Sequence, residues 1–515
     1  MRRWLPLLIC FIQFLAMAYL ARQHPFGNFA TETDFYHYYA PDAERIAAGQ
    51  FPDNTFQGPG YPALLALISW LTGGDLFTIG KWLSVICAVL VGLLAFILFE
   101  RLFGYWVGIG AQLIAIVSGE FPQFAINATT DLFFLLICLL ALVVFTSDSI
   151  PPGWRMFATG ALCGLAYLTR YNGLFLLAAC LAGVLLLDLF ERKWPERSLL
   201  AGFLLAAFLV VTSPWLYANN RRHGSPFYNT NYLNLATEFY PELVEGKTNQ
   251  DATRPLEQKF HSFRDVLRYD ARRIIEHYPV NFYESLRLST MDNLVNPLVG
   301  GFAVLGLVLV LGGRKSKKLK FILATGLIYL MVTALTHWET RYYFLLMIFY
   351  AGLSVYAVAR CFELMRARKL LNLPVAIVVS VLLVALLWAL SFAQSRKDVK
   401  TFLAGQPWEI MAARDYLKRV DPKGSRIKIV ARKPHLPYLA DGEWIFFPQV
   451  KSIEEFREWV KANRIDYIAI GKRELKERKE LSSLADPRNA PEWLKAVWVN
   501  DDPVFILYKP IENAE

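Results

Sequence analysis

Long apolar stretches recur along most of this chain, and they limit its fold more than any other feature. A helix needs about 20 apolar residues to cross the hydrocarbon core of a bilayer, and within that core the backbone must satisfy its own hydrogen bonds. The composition agrees, because 55% of the 515 residues are hydrophobic and only 19% are charged, against about 25% charged in soluble domains. The sequence therefore predicts a polytopic α-helical membrane protein and excludes a disordered chain or an ordinary soluble one. Eleven spans are predicted, at 5–20, 77–99, 106–118, 131–146, 156–169, 173–190, 199–217, 294–312, 319–336, 342–359 and 373–394.

The positive charges lie mainly in alternate short loops. Cytoplasmic loops are enriched in Lys and Arg, so the clusters at Arg2–Arg3 and Arg314–Lys320 predict a cytoplasmic N-terminus. The net charge of +10 then reports topology, and nucleic acid is not expected as a partner. The predicted location is a membrane that the chain crosses many times. A cleavable signal peptide is the alternative for the first span, and either interpretation leaves residue 21 and the residues after it outside the cytoplasm.

This topology predicts two domains. Residues 1–395 form a transmembrane domain with external loops 21–76 and 218–293, and residues 396–515 form an extracytoplasmic α/β domain. In the second domain Ser452-Ile-Glu-Glu455 predicts a capped helix start. Strands are predicted at 427–430, 444–447, 467–470 and 504–508, with a turn at 500–503.

Polar residues near the external ends of the spans are the candidate site residues, because charges at the membrane edge are costly. The first loop contains Glu32, Asp34, Tyr36 and His37, and continues to a segment running from Gln57 to Tyr61. An interfacial aromatic belt with solvated acids is the alternative interpretation of this loop.

Further candidates lie in three other short loops on the same predicted side. Glu120 and Asp131 bracket one loop, and Asp131 could simply act as a helix-terminal partner. Arg170 lies in a tight turn, where it could bind a phosphate or extend to lipid headgroups. The third loop holds His337, Glu339 and Arg341, which could instead form an interfacial salt-bridged turn.

The predicted topology brings these acids and arginines to one membrane face. Arginines there would hold the phosphate of a lipid-linked donor and stabilise it as it leaves. A carboxylate would take the proton from an acceptor hydroxyl. This combination predicts glycosyl transfer from a polyprenyl-phosphate sugar. The sequence contains no CxxC or Cys/His cluster, so no metal site or other cofactor is assigned, although a divalent cation between Asp34 and another acid is left open.

Four sequence patterns, taken in order, resemble the polyprenyl-phosphate-dependent glycosyltransferases of the GT-C fold, in particular the bacterial relatives of protein O-mannosyltransferases and lipid A aminoarabinose transferases. The patterns are Asp34-Phe-Tyr-His-Tyr-Tyr-Ala-Pro-Asp-Ala-Glu-Arg-Ile-Ala-Ala-Gly49, Gln57-Gly-Pro-Gly-Tyr-Pro-Ala-Leu-Leu64, Gly164-Leu-Ala-Tyr-Leu-Thr-Arg-Tyr-Asn-Gly-Leu174 and Glu339-Thr-Arg-Tyr-Tyr-Phe-Leu-Leu346. The resemblance extends over about residues 5–395. It departs from the aminoarabinose transferases in one loop. Those enzymes have a Lys in the loop that corresponds to Gln57–Tyr61, and this chain has none there.

The resemblance implies a protein of the bacterial inner membrane and an inverting transfer with Asp34 as the general base. Arg170, Arg341 and His337 would bind the donor phosphate. The residues expected to contact sugar or acceptor are Glu32, Tyr36, His37, Gln57, Tyr61, Glu120, Asp131 and Glu339. The acceptor could be a lipid, a glycan or a protein.

Two other functions remain open at the level of the sequence. The same charges could line the path of a transporter or flippase for a lipid-linked sugar, although paired repeats typical of transporters are not evident. The chain could also be a non-catalytic subunit of a membrane assembly.

Overall fold

The computed structural model describes residues 4–245, 249–291, 294–313, 316–370, 372–421 and 427–511. The predicted topology signals Arg2, Arg3, Arg314 and Lys315 lie outside these described residues. Up to residue 421 the described chain is helical, with α1 Leu5–Arg22, α2 Ala40–Ala47, α3 Gly60–Thr72, α4 Leu76–Phe103, α5 Tyr105–Ala115, α6 Phe121–Phe124, α7 Asp131–Phe145, α8 Pro152–Thr169, α9 Leu174–Leu185, α10 Trp194–His223, α11 Tyr232–Phe239, α12 Asn249–Lys259, α13 Phe263–Tyr269, α14 Ala271–Met291, α15 Pro297–Gly312, α16 Lys317–Thr333, α17 Phe344–Ala367, α18 Leu373–Ala404 and α19 Trp408–Val420.

Each of the eleven predicted spans overlaps one of these helices, which confirms the polytopic helical class. Within the described residues, five helical segments are long and apolar enough to cross a membrane by length and composition: Leu5–Arg22, Leu76–Phe103, Trp194–His223, Thr340–Ala367 and Leu373–Val420. Several of the other spans are shorter apolar helices, such as Asp131–Phe145 and Pro297–Gly312. The predicted span at 319–336 corresponds to α16, whose first turn contains Lys317, Lys318 and Lys320 and leaves a shorter apolar part.

The chain divides into two compact units. The first unit comprises residues 1–26, 38–239 and 260–404, and the second comprises residues 27–37, 240–259 and 405–515. This division differs from the domains 1–395 and 396–515 predicted from the sequence. Helix α18 continues to Ala404, and two segments of the predicted external loops belong to the same unit as the C-terminal residues.

Helix α8 carries one of the candidate arginines at its end, and close packing fixes it against α10. A Cβ atom on Gly160 would lie 2.1 Å from the Leu204 carbonyl oxygen, and one on Gly164 would lie 3.0 Å from the Val211 Cβ. Small residues four apart allow such close helix contact in membrane proteins. The glycines of α8 therefore determine where its C-terminal end lies in the first unit.

The second unit is built on a five-stranded sheet of β1 Lys428–Val430, β2 Glu443–Ile445, β3 Tyr467–Gly471, β4 Leu494–Asp501 and β5 Val504–Pro510. The strand order is β2-β1-β3-β5-β4, with β1 parallel to β2 and β3 and the remaining pairs antiparallel. Side chains alternate along β3, so that Tyr467 and Ala469 pack on one face and Ile468 and Ile470 on the other. Because each face is covered by helices, the strand is buried throughout. Three further helices lie between the strands along the chain: α20 His435–Leu439, α21 Ile453–Asn463 and α22 Lys472–Glu477.

The predicted α/β class of this region is confirmed. Ser452 caps α21, and its side chain accepts a hydrogen bond from the Glu455 backbone N–H, as the Ser-x-x-Glu spacing predicts. Residues 500–503 connect β4 to β5, which pair in antiparallel fashion.

Candidate active site

Three separate chain segments of the first unit bring charged side chains together. Asp131 is the first residue of α7, Arg170 directly follows α8, and Arg341 lies in the short 3-10 helix Thr340–Tyr343 that leads into α17. An acid at a helix N-terminus and a base at a helix C-terminus both interact favourably with the helix dipoles. The local structure therefore favours the charges of Asp131 and Arg170, whereas Arg341 precedes the N-terminus of α17 and depends on its tertiary partners.

Asp131 is the centre of this cluster. One of its carboxylate oxygens, Oδ1, accepts a hydrogen bond from Arg170 Nη1, and the other, Oδ2, lies 3.9 Å from Arg341 Nη1. The Asp131 side chain is 1% exposed and each arginine side chain is 15% exposed. A buried carboxylate is stable only with such partners. Asp131 therefore holds two guanidinium groups side by side, an arrangement in which both can contact the same phosphate.

The ring of Tyr342 lies against both arginines. The guanidinium carbon of Arg170 is 5.0 Å from the ring centroid and that of Arg341 is 5.3 Å from it. Tyr329 of α16 donates a hydrogen bond of 2.5 Å to the backbone carbonyl of Tyr342. Cation–π contacts on one ring reduce the freedom of two long side chains. Tyr342 was missed in the sequence analysis, although Thr-Arg-Tyr occurs at both arginines.

His337 and Glu339 lie at the exposed edge of this cluster. Glu339 Oε2 is 4.0 Å from Arg341 Nε, and Glu339 Oε1 is 4.0 Å from His337 Nε2. Both side chains are nearly half exposed, so solvent weakens these ion pairs. The His337 ring also meets the Tyr342 ring edge-on at 5.8 Å.

The charged cluster opens into a small cleft with mainly apolar walls. Phe134, Leu135 and Cys138 of α7 form one wall, and Phe344 and Leu345 of α17 form another. The lining of this cleft, cationic at one end and apolar along its sides, is that required by an amphiphile with an anionic head. Its volume is about 10 Å³, room for no more than about one water molecule, so the walls must separate before a lipid can enter.

The Gln57–Gly60 segment packs against the end of α8, immediately before Arg170. A Cβ atom on Gly58 would lie 2.0 Å from the Leu168 carbonyl oxygen, and Tyr171 Oη donates a 3.1 Å hydrogen bond to the Gln57 carbonyl oxygen. The second and third sequence patterns are therefore in direct contact, and the glycine is needed for the close approach.

We expect Gly58→Ala to destabilise the protein by at least 1–3 kcal/mol, the usual cost of overpacking, and to reduce any activity that depends on Arg170. Thermal unfolding in detergent measures the first effect. Gly202→Ala is the matched control, because nothing lies within 4 Å of a Cβ atom at that position of α10. Equal unfolding temperatures for the two variants would contradict the packing argument.

Two other predicted residues of the first unit lie apart from the charged cluster. Tyr61 is fully buried, with its ring 5.1 Å from that of Tyr39. Glu120 immediately precedes the short helix α6 and does not line the cleft.

Asp34, Glu32, Tyr36 and His37 belong to the second unit. Glu32 is fully buried and accepts a hydrogen bond of 2.9 Å from the Asn28 backbone N–H. The Tyr36 ring packs 4.6 Å from the His435 ring, and the His37 ring packs 4.6 Å from Trp444. Glu32, Tyr36 and His37 therefore anchor the segment that carries Asp34 within this unit.

Lys433, in the loop after β1, is a second residue missed in the sequence analysis. Burial lowers its pKa to about 8, with Arg432 adding to the effect, while the negative charge of Asp34 opposes it. Burial also lowers the pKa of His37 to about 4, with a contribution from Lys433. The charges of Asp34 and Lys433 thus interact. The sequence contains no signal for this pair because about 400 residues separate the two.

Asp42 of α2 is a buried carboxyl group in the first unit. Burial raises its pKa to about 6, although backbone N–H groups of Asp53 and Asn54 donate hydrogen bonds to it. A carboxyl with a raised pKa contributes stability at low pH, and this contribution is lost as the pH rises through the folded-state value.

We expect Asp42→Asn to unfold at the same temperature as the unaltered protein below pH 4 and to be more stable above pH 6. A shift from 3.8 to about 6 corresponds to about 3 kcal/mol above pH 6. Thermal unfolding measured from pH 3 to 7.5 tests this expectation. Glu44→Gln, an exposed acid in the same helix, controls for the loss of a charge. A constant difference across this range would show that Asp42 titrates normally.

No group of three or more His, Cys, Asp or Glu side chains in the described part of the chain is arranged to hold a metal ion.

Comparison with known proteins gives both a sequence match and structural matches. Residues 56–217 match the family model of dolichyl-phosphate-mannose-protein mannosyltransferases, a range that includes Gln57, Asp131 and Arg170. No match was found among curated proteins.

Two solved structures similar to this chain are membrane glycosyltransferases. The oligosaccharyltransferase AglB of Archaeoglobus fulgidus, in complex with an inhibitory peptide and a dolichol-phosphate, aligns with a TM-score of 0.64 and 13% identity over 99% of this chain and 74% of AglB. ArnT of Cupriavidus metallidurans, bound to undecaprenyl phosphate, aligns with a TM-score of 0.59 and 13% identity over 98% of each chain. The chain therefore has the GT-C fold of multi-pass membrane glycosyltransferases, as the sequence resemblance predicts.

Proposed function

We propose that this protein is an inverting membrane glycosyltransferase that moves a monosaccharide from a polyprenyl-phosphate carrier to an extracytoplasmic acceptor. The observation that supports this most is the pair Arg170 and Arg341 on the buried carboxylate of Asp131, at the end of an apolar cleft. In this proposal the arginines bind the donor phosphate, and the lipid chain follows the apolar walls. The polyprenyl phosphates bound to AglB and ArnT are ligands of the same chemical class.

The reaction is a single displacement at the anomeric carbon. Asp34 takes the proton from the acceptor hydroxyl as its oxygen forms a bond to that carbon. The bond from the anomeric carbon to the phosphate oxygen breaks, and the polyprenyl phosphate leaves with the electron pair. Arg170 and Arg341 stabilise the charge that develops on the leaving phosphate, and fixed donors in a partly dehydrated site are effective in this role.

The other candidate residues have supporting roles in this proposal. Asp131 orients the two arginines. Glu339 and His337 bind the sugar or the phosphate of the donor at the open edge of the cluster. Glu32, Tyr36 and His37 position the segment that carries Asp34. Gln57 holds Tyr171 beside Arg170, and direct contact of Glu120 or Tyr61 with the sugar or acceptor remains a prediction.

The proposed location is the bacterial inner membrane, with the N-terminus in the cytoplasm and the C-terminal α/β region outside it. The charge distribution of the short loops supports this orientation. A reporter enzyme that works only outside the cytoplasm should be active when it is fused after α18. Activity at the same position of a reporter that works only in the cytoplasm would reverse the assignment.

The test uses the full chain in proteoliposomes with a panel of radiolabelled polyprenyl-phosphate monosaccharides, and membranes of a deletion strain as the source of acceptor. The proposal requires that label leaves the polyprenyl phosphate for an acceptor. Movement of intact labelled lipid between leaflets without transfer would identify a flippase instead. The absence of both would point to a non-catalytic subunit.

A further inference from the structure

A second charged cavity lies in the first unit, at the opposite ends of the helices that form the candidate site. Asp131 begins α7 and Asp148 follows its C-terminal end, while Arg155 lies in the first turn of α8 and Arg170 follows that helix. The rise of about 1.5 Å per residue puts about 22 Å between Arg155 and Arg170 along α8. We call this the distal cavity; its volume is about 220 Å³, and its lining includes Asp148, Arg155, Phe190, Glu191, Arg192 and Lys318.

Arg155 is the unusual residue of the distal cavity. It is 7% exposed, and its Nε atom is buried without a hydrogen-bond partner in the described part of the chain. The guanidinium carbon lies 4.8 Å from the centroid of the Phe190 ring, which orients the group without satisfying its donors. A cation that serves only to set membrane topology can remain in water, whereas burying one without a partner is costly. The burial of Arg155 therefore points to a ligand.

The other charges at the distal cavity already have ionic partners. Lys318 pairs with Asp148, Glu191 Oε1 lies 3.4 Å from Lys317 Nζ, and Arg192 Nη1 lies 3.2 Å from Glu196 Oε2. Arg155 and Asp148 influence each other electrostatically, but the Asp148 side chain is 79% exposed and forms its ion pair with Lys318. The unmatched charge is therefore that of Arg155, and the missing partner is an anion.

The surroundings indicate where this anion comes from. Trp154, next to Arg155, is 70% exposed, and Trp194, at the start of α10, is 60% exposed. Exposed tryptophans are typical of the level of the lipid headgroups in membrane proteins. The volume of the distal cavity, about 220 Å³, is several times the roughly 30 Å³ that one water molecule occupies. The cavity therefore has room for a phosphate group.

We propose that the distal cavity binds the phosphate of an anionic lipid headgroup, with Arg155 as its main ligand and Lys318 and Arg192 at its rim. The planar fork of an arginine donates two parallel hydrogen bonds to a phosphate. This site is independent of the proposed glycosyl transfer, because none of its residues lines the cleft at Arg170.

Native mass spectrometry and thermal unfolding of the full chain in detergent test the proposal. Added phosphatidylglycerol should remain bound and raise the unfolding temperature of the unaltered protein, and phosphatidylcholine should do so much less. An equal effect of the two lipids would overturn the proposal. If inorganic phosphate alone reproduced the effect, the assignment to a lipid would be overturned.

Arg155→Gln should weaken the binding of phosphatidylglycerol about tenfold or more, the expected loss for hydrogen bonds to a charged group. Arg155→Lys should recover only part of it, because Lys retains the charge without the fork. The matched control is Arg368→Gln, an exposed arginine that caps the C-terminal end of α17, far along that helix from Arg341. Equal affinity of Arg155→Gln and Arg368→Gln would refute the role of Arg155.

Stability without added lipid separates binding from a structural role. Replacing a buried cation that has no partner by a neutral residue of similar size is often neutral or stabilising. We therefore expect delipidated Arg155→Met to unfold at or above the temperature of the delipidated unaltered protein. A large loss of stability in this variant would show that Arg155 serves the fold and would contradict the proposal.

Discussion

Asp34→Asn is expected to reduce sugar transfer by about 10²–10⁴-fold, the range that general-base catalysis supplies. The amide cannot accept the proton of the acceptor hydroxyl, although its size matches the carboxylate. Binding of undecaprenyl phosphate should be unchanged, because the proposed phosphate ligands are Arg170 and Arg341. Radiolabelled transfer in proteoliposomes measures the first quantity, and native mass spectrometry of bound undecaprenyl phosphate measures the second.

Two comparisons make the Asp34 experiment specific. Asp34→Glu keeps a carboxylate and should retain more transfer than Asp34→Asn. Asp441→Asn removes an acid of the same unit that is 83% exposed, and should transfer sugar at the unaltered rate. Normal transfer by Asp34→Asn would exclude Asp34 as the base. Glu32 would not simply replace it, since this residue is fully buried and bonded to a backbone N–H.

Arg170→Gln is expected to abolish detectable binding of undecaprenyl phosphate and to destabilise the first unit. The substitution removes a phosphate ligand and leaves the Asp131 carboxylate, 1% exposed, with a single partner at 3.9 Å. Breaking a buried ion pair on one side costs about 3–5 kcal/mol. Thermal unfolding and native mass spectrometry of the bound lipid measure the two effects.

The double variant Arg170→Met with Asp131→Leu separates these effects. Replacing both members of a buried ion pair by apolar residues is often neutral for stability, but Arg341 also loses Asp131 and keeps Glu339 at 4.0 Å. We therefore expect partial recovery of the unfolding temperature without recovery of lipid binding. Arg366→Gln, an exposed arginine near the end of α17, controls for the loss of one positive charge. If the double variant bound undecaprenyl phosphate as tightly as the unaltered protein does, the phosphate site would lie elsewhere.

Local physical chemistry explains which parts of the fold could be predicted. Apolar runs predict membrane helices because the bilayer forces the backbone to bond within each segment. The Ser452 cap and the strands near 467 and 504 are also local patterns, and the structure contains them. Helix lengths were less predictable. Helix α7 has only 15 residues, and apart from Asp131 at its start these residues are apolar and mostly buried among neighbouring helices.

The candidate site was predictable in part, for a reason that concerns charge. Arg170 and Arg341 are the only Lys or Arg residues in the short predicted external loops 119–130, 170–172 and 337–341, so the charge pattern by itself sets both apart. Their shared partner Asp131 and the ring of Tyr342 could not be inferred, because the contacts join segments far apart in the chain. The partnership of Asp34 with Lys433 has the same origin.

The sequence by itself determined the class of protein: a helical membrane chain with an α/β region after residue 395, and polar residues at the ends of its spans. These features follow from local composition and hydrogen bonding, which each segment carries alone. Tertiary structure decided which polar residues are buried, paired or open to a ligand. Tyr61 and Glu32 are enclosed, Asp131 holds two arginines, and Arg155 is buried without an ionic partner in the described chain. Such differences depend on packing between distant segments, because burial changes the cost of a charge far more than its neighbours in the sequence do.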